Sequence, residues 1–133
     1  MNSLDIFTLT YGGSGMVLDC STQITTKNDN LGLCFGEISL KYAVCDRYSS
    51  NESLTTFLRT FTRFSEKPFG KDLLEEITNF IFQEVDPWML LTRAFLYTNS
   101  SNPITIVKTQ DLHNLPYWVL QTRLYKEIEE SNK

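Results

Sequence analysis

The chain has 133 residues, 41% of them hydrophobic and 21% charged, with 12 Lys and Arg against 16 Asp and Glu for a net charge of −4. That length suits a single domain, 1–133, with a real core, and the apolar content excludes a disordered tail, a collagen-like repeat or a highly charged linker. The lack of basic excess argues against binding nucleic acid by phosphate neutralisation, and no run approaches the roughly 20 apolar residues that span a bilayer.

In chain order, Leu4 to Tyr11 alternates as a strand does, and Tyr11-Gly12-Gly13-Ser14-Gly15 carries hairpin-turn chemistry into a return strand from Met16 to Ile24. Thr26-Lys27-Asn28-Asp29-Asn30 reads as a polar loop. The clearest strand follows, where Ile38, Leu40, Tyr42 and Val44 alternate with Glu37, Ser39 and Lys41. The period then changes. Leu54, Phe57, Leu58, Phe61 and Phe64 fall at helical spacing after the capping cluster Ser49-Ser50-Asn51. Lys67-Pro68-Phe69-Gly70 breaks that helix, and a second carries Leu73, Leu74, Ile77, Phe80, Ile81 and Val85 until Asp86-Pro87. Trp88 to Tyr97 and Ile104 to Lys108 read as paired strands around the turn Asn99-Ser100-Ser101-Asn102-Pro103. A last helix is expected from Pro116, with Tyr117, Leu120, Leu124 and Ile128 as its stripe. Strands interrupted by a helix pair predict an α+β layer: an antiparallel sheet with two consecutive helices on one face, plus a C-terminal helix.

Few motifs carry chemistry. Gly12-Gly13-Ser14-Gly15 runs into Met16-Val17 rather than Lys-Ser/Thr, so a turn is expected and not a phosphate loop. His113 is the single histidine, and Cys20, Cys34 and Cys45 show no C-x-x-C spacing, so no metal is expected. An odd, scattered cysteine set, with no basic-then-apolar order in Met1-Asn2-Ser3-Leu4-Asp5, leads us to expect a cytoplasmic protein. The sequons Asn51-Glu52-Ser53 and Asn99-Ser100-Ser101 are then chance matches. A cysteine nucleophile needs a base or a positive setting, which the linear sequence shows for none of the three; the default for each is a small buried hydrophobe. Glu66, Glu75, Glu76, Glu84 and Asp86 read as solvated helix surface. Glu52 stands apart: in a first helical turn beside a strand end, its carboxylate either complements the helix dipole or grips the N–H groups of a ligand.

From Phe35 to Ile104 the chain resembles the tunnelling-fold superfamily, and within it the NADPH-dependent 7-cyano-7-deazaguanine (nitrile) reductases of queuosine biosynthesis. Phe35-Gly36-Glu37-Ile38-Ser39-Leu40-Lys41-Tyr42 followed by Asn51-Glu52-Ser53-Leu54 echoes that family's strand and the Glu-Ser-Lys-Ser-Leu segment opening its helix. Leu58-Arg59-Thr60-Phe61 echoes its Leu-x-Ser-Phe helix, and Leu73 to Asp86-Pro87-Trp88-Met89 its second helix. These are framework residues over about half the chain. The catalytic motifs are largely missing: the nucleophile position falls at Lys27, its acidic partner at Cys34 and the substrate-gripping glutamate at Ser50. Phe-His-Glu is replaced by Phe69-Gly70-Lys71, and the Arg-Gly-Gly loop that helps hold NADPH by Ser100-Ser101-Asn102-Pro103.

The resemblance implies a homo-oligomer in which sheets from several subunits join and a purine, deazapurine or pterin ring binds at a subunit boundary. It points to Glu52, Ser53 and Phe35 for the ring, to Cys34 or Cys20 as the thiol of an active version, and to NADPH as its cofactor. A catalytically silent version ranks slightly ahead, given the collective loss of motifs. The alternative is a small acidic protein–protein interaction module of inhibitor or immunity type, anchored by spare aromatics. Most of the 17 aromatic residues (nine Phe, six Tyr, two Trp) are expected in the core, leaving Tyr11, Phe35, Tyr117 and Trp118 for ring stacking or subunit contact.

Overall fold

A computed structural model describes residues 4–10, 15–28, 32–97 and 103–131. Tyr11, most of the first glycine turn and nearly all of the second turn lie outside them. In chain order the elements are β1 (Ile6–Thr8), β2 (Val17–Asn28), β3 (Gly32–Ala43), β4 (Arg47–Ser49), α1 (Asn51–Phe64), α2 (Lys71–Val85), β5 (Met89–Leu96), β6 (Ile104–Thr109), a 3₁₀ turn (Leu112–Asn114), α3 (Tyr117–Leu120) and α4 (Arg123–Ser131). Four strands form an antiparallel sheet in the order β2-β3-β5-β6, so β2 and β6 are its edges. The expected α+β architecture is the one observed.

Strand alternation sorts side chains onto two unlike faces. On one, Cys20, Ile24, Ile38, Leu40, Tyr42, Leu90 and Ala94 meet the apolar stripes of α1 and α2, including Leu54, Leu58, Leu74, Ile77 and Ile81. On the other, Ala43, Met89 and Leu91 are covered by Leu115, Val119, Leu124 and Ile128 from the C-terminal segment. That second cover reaches only one end of the sheet. Towards the other end the same face leaves Leu33, Phe35, Phe95 and Tyr97 exposed.

The helix ends follow from local chemistry. Ser50 caps α1, its Oγ accepting the Ser53 N–H at 3.1 Å. At the end of α2, Asp86 takes a left-handed conformation (φ 51°) and its N–H returns to the Phe82 carbonyl, whereas a residue before proline is expected to be extended. Its carboxylate accepts a 2.7 Å bond from Gln110 and lies 3.9 Å from Arg47. Between α2 and the sheet the buried hydroxyls of Thr78 and Thr92 lie 2.6 Å apart, and Thr78 donates to the Leu74 carbonyl.

Four expectations need correction. First, β1 pairs not with β2 but with β4, Ile6 opposite Ser49 and Phe7 opposite Tyr48, whose rings stack at 5.4 Å. The partner of β2 is β3, matched from Val17–Ala43 to Asn28–Gly32, which leaves β1 to a separate ladder. Second, Thr26–Asn28 are strand and not loop: Thr26 faces Cys34 across the ladder and is buried, as a β-branched residue can be despite its hydroxyl. Third, the helix from Pro116 breaks at Gln121–Thr122. The Thr122 hydroxyl donates to the Val119 carbonyl at 2.6 Å and accepts the Tyr125 N–H at 3.1 Å, closing α3 and opening α4. Fourth, β4 and the 3₁₀ turn have no counterpart in the sequence reading, each being only three residues long.

Candidate functional site

The start of α1 holds two of the residues singled out for a ring. Glu52 is exposed in the first turn, where a carboxylate complements the helix dipole. Ser53 is engaged, its Oγ accepting the Asp5 N–H at 2.9 Å. Around them Ser49 donates from Oγ to the Asp5 carbonyl at 2.8 Å. The Tyr42 hydroxyl donates to the Ser49 carbonyl and accepts the Ser49 N–H, both at 3.2 Å. The chain before β1 is thus tied across the helix N-terminus.

The thiols lie deep. Cys20 is 4% exposed, and burial, helped by the neighbouring Asp19, pushes its pKa up to about 11 against a weaker opposing pull from Arg59. A thiolate is disfavoured there at neutral pH. Cys34 is 1% exposed and its Sγ donates a weak bond to the Gly32 carbonyl at 3.7 Å. Cys45, half-buried, is also pushed up by burial and by Asp46. All three are free. Among the described residues no group of three His, Cys, Asp or Glu side chains is placed to hold a metal.

Phe35 lies elsewhere. It pairs with Thr25 near the end of β2, whereas Tyr42 and the α1 N-terminus sit by Leu18 near its start. Seven strand residues separate the two positions, roughly 23 Å. Within one subunit the structure therefore does not bring Phe35 together with Glu52 and Ser53. Phe35 instead lines a cleft of ≈ 330 Å³ with Gln23, Thr25, Gly36, Arg59, Arg63 and Tyr97. Its aromatics are open, Phe35 56% and Tyr97 50% exposed. Tyr97 is anchored twice: its N–H donates to the Phe35 carbonyl at 2.9 Å, and its hydroxyl to Glu37 at 3.3 Å. Arg59 donates from Nε to the Thr22 hydroxyl at 2.8 Å. Of the other proposed stacking residues, Tyr117 is 75% exposed and Trp118 packs against the second core.

No family model and no curated protein sequence matches the chain. Among solved structures it is similar to the archaeosine synthase QueF-Like in its apo form, with a TM-score of 0.62 over 71% of this chain and 95% of that one, at 10% identity. The chain has a QueF-like, tunnelling fold. In it, Lys27 and Cys34 sit on the hairpin strands and the Lys27 carbonyl accepts the Phe69 N–H at 2.9 Å, so these three positions adjoin, whereas Ser50 lies at the other end of the hairpin, beside Tyr42. The side chains there are a lysine, a buried thiol and Phe69-Gly70-Lys71. The cleft is at the lower end of the about 300–1,000 Å³ typical of small-molecule sites.

Arg59, Arg63 and Tyr97 are the cleft residues that sequence reading missed. The signal for the arginines was present: two guanidiniums spaced i, i+4 on one helix of an otherwise acidic chain.

Proposed function

We propose that this tunnelling-fold protein binds a planar purine, deazapurine or pterin-like ring at a boundary between two copies of itself, without catalysing a reaction. The observation that carries the reading is a ring-sized cleft with two open aromatics, at the end of the edge hairpin in a QueF-like fold. Edge strands in a small domain are paired or covered, and β2 is long and unpaired on its outer side among the described residues. Because α1 follows the direction of β2, antiparallel pairing of two β2 strands about a two-fold near Ser21–Thr22 sets Leu18 of one copy opposite Thr25 of the other. Glu52 of the partner subunit then lies at the same end of the joined sheet as the Phe35 cleft. Silence is supported by the burial of Cys20 and Cys34 and by the replacement of the catalytic motifs.

The test is size-exclusion with light scattering, run beside a thermal-shift screen of 7-deazaguanines and pterins. The expected result is a dimer or higher oligomer stabilised by about 2.7 kcal/mol at a ligand concentration of 100 times its dissociation constant. Phe35→Ala and Glu52→Gln should each remove that shift. A monomer that no ring stabilises refutes the reading, and NADPH-dependent nitrile turnover refutes its silence.

A further inference from the structure

The cleft carries a charge pattern that a neutral ring does not use. Although the chain is net acidic, the cleft lining has two arginines and no carboxylate. Arg59 and Arg63 lie one helical turn apart on α1, where like charges repel. Neither is in an ion pair among the described residues, whose pairs are Lys41–Glu127, Arg47–Asp86 and Lys67–Glu76. Glu37, on β3, is held by the hydroxyls of Ser21 at 3.1 Å and Tyr97 at 3.3 Å.

Arg59 is also positioned in advance. Its Nε is committed to the Thr22 hydroxyl on the buried face of β2, while its two terminal nitrogens make no hydrogen bond among the described residues. A guanidinium fixed through Nε presents a planar fork that matches two oxygens of a phosphate. Arg63 is steadied differently, its guanidinium carbon lying 5.6 Å from the centre of the Phe64 ring. Gly36 adds backbone to the cleft wall.

We infer that the ligand of this cleft is a phosphorylated ring of the nucleoside monophosphate class, with Arg59 and Arg63 holding the phosphate and Phe35 and Tyr97 flanking the base. This rests on the ring-binding reading above and adds the anion to it.

Isothermal titration of the protein at low salt with guanosine 5′-monophosphate, guanosine and inorganic phosphate separates the two claims. The expected result is monophosphate binding at least about tenfold tighter than guanosine, the advantage shrinking as salt rises. In the doubly substituted Arg59→Gln/Arg63→Gln protein the advantage should vanish while guanosine binding persists. Arg59→Lys should keep part of it, and Arg123→Gln, a distant exposed control, all of it. A thermal melt of each variant confirms folding. Equal affinity for guanosine and its monophosphate overturns the phosphate inference and leaves ring binding standing, as does an advantage that survives in the double variant. Monophosphate and inorganic phosphate binding alike, with guanosine unbound, supports the arginine site and overturns ring recognition. No binding of any probe overturns both.

Discussion

Gly36→Ala sets two effects of opposite sign against each other at the cleft wall. Gly36 lies in β3, the strand between β2 and β5, opposite Leu96, in a backbone conformation that ordinary L-residues adopt. By chain entropy alone the substitution should stabilise, since alanine restricts the unfolded state and is worth about 0.4–1 kcal/mol at a compatible site. Packing says the reverse. A Cβ at Gly36 would collide with the Phe95 carbonyl oxygen and sit 2.9 Å from Leu96 Cδ2 and 3.3 Å from Leu96 Cα. The leucine methyl can turn away, but the carbonyl belongs to the neighbouring strand and moves only if the ladder opens. Overpacking of this kind costs about 1–3 kcal/mol, and contact with backbone puts it at the upper end. The net expectation is a loss of roughly 2 kcal/mol, or about 8 °C in melting temperature for a chain of this size. Urea titration read by far-UV circular dichroism, beside a thermal melt, measures it. A variant that melts within about 2 °C of the parent, or above it, would show that β3 and β5 do not approach as closely as described.

Three further expectations concern other parts of the molecule. Tyr42→Phe removes the hydroxyl that serves both the N–H and the carbonyl of Ser49, leaving two buried backbone groups unpaired; a loss of about 2 kcal/mol in urea denaturation is expected, with no change in the denaturant slope. Ser50→Ala removes the cap of α1 and should cost about 1 kcal/mol, while Ser50→Asp should melt close to the parent. The Cys20 thiol is pushed up from 9.0 to about 11 by burial, so the unfolded chain loses this proton first. Its contribution is fully present below pH 9 and lost between pH 9 and 11, by at most about 2.7 kcal/mol. Tyr42, also pushed up by burial, acts in the same direction, so the difference between the parent and Cys20→Val isolates the thiol. If the two pH–stability curves stay parallel from pH 8 to 11, Cys20 is not buried as described.

The fold was legible wherever one residue pattern had one physical outcome. The alternation in β3, the 3.6-residue stripes of α1 and α2, and the Ser50 cap each admitted a single local structure. The failures share a different cause, because pairing partners are chosen by competition. A glycine turn after β1 suggests a hairpin with β2, yet β2 has twelve residues to offer β3, and Ile6–Thr8 goes to a three-residue strand too short to be read from its own composition. The site was harder to read. Phe35 was found because it is an aromatic left over once the stripes of the helices and strands were assigned to the core, and because the resemblance points to it. Arg59 entered only as part of the Leu58–Phe61 echo and Arg63 not at all, since what distinguishes them is the cleft they line and, for Arg59, the hydroxyl of Thr22, which only the packed sheet brings to them. Glu52 and Ser53 were grouped with Phe35 by a linear motif that ignores which end of the sheet each residue reaches.

The uneven cover of the sheet sets where the molecule gives way first. At the Ala43–Met89 end the strands are clamped between helices on both sides, so their amides open only with the whole fold. Towards Leu33 and Tyr97 one side meets solvent, and opening there exposes little that is not already wet. Hydrogen exchange should therefore quicken along β3 from Ala43 towards Gly32, and a bound ligand should slow it most at Phe35 and Gly36. The cleft lies at the most yielding edge of a rigid plate, so its walls can close on a ligand without disturbing the core that carries them.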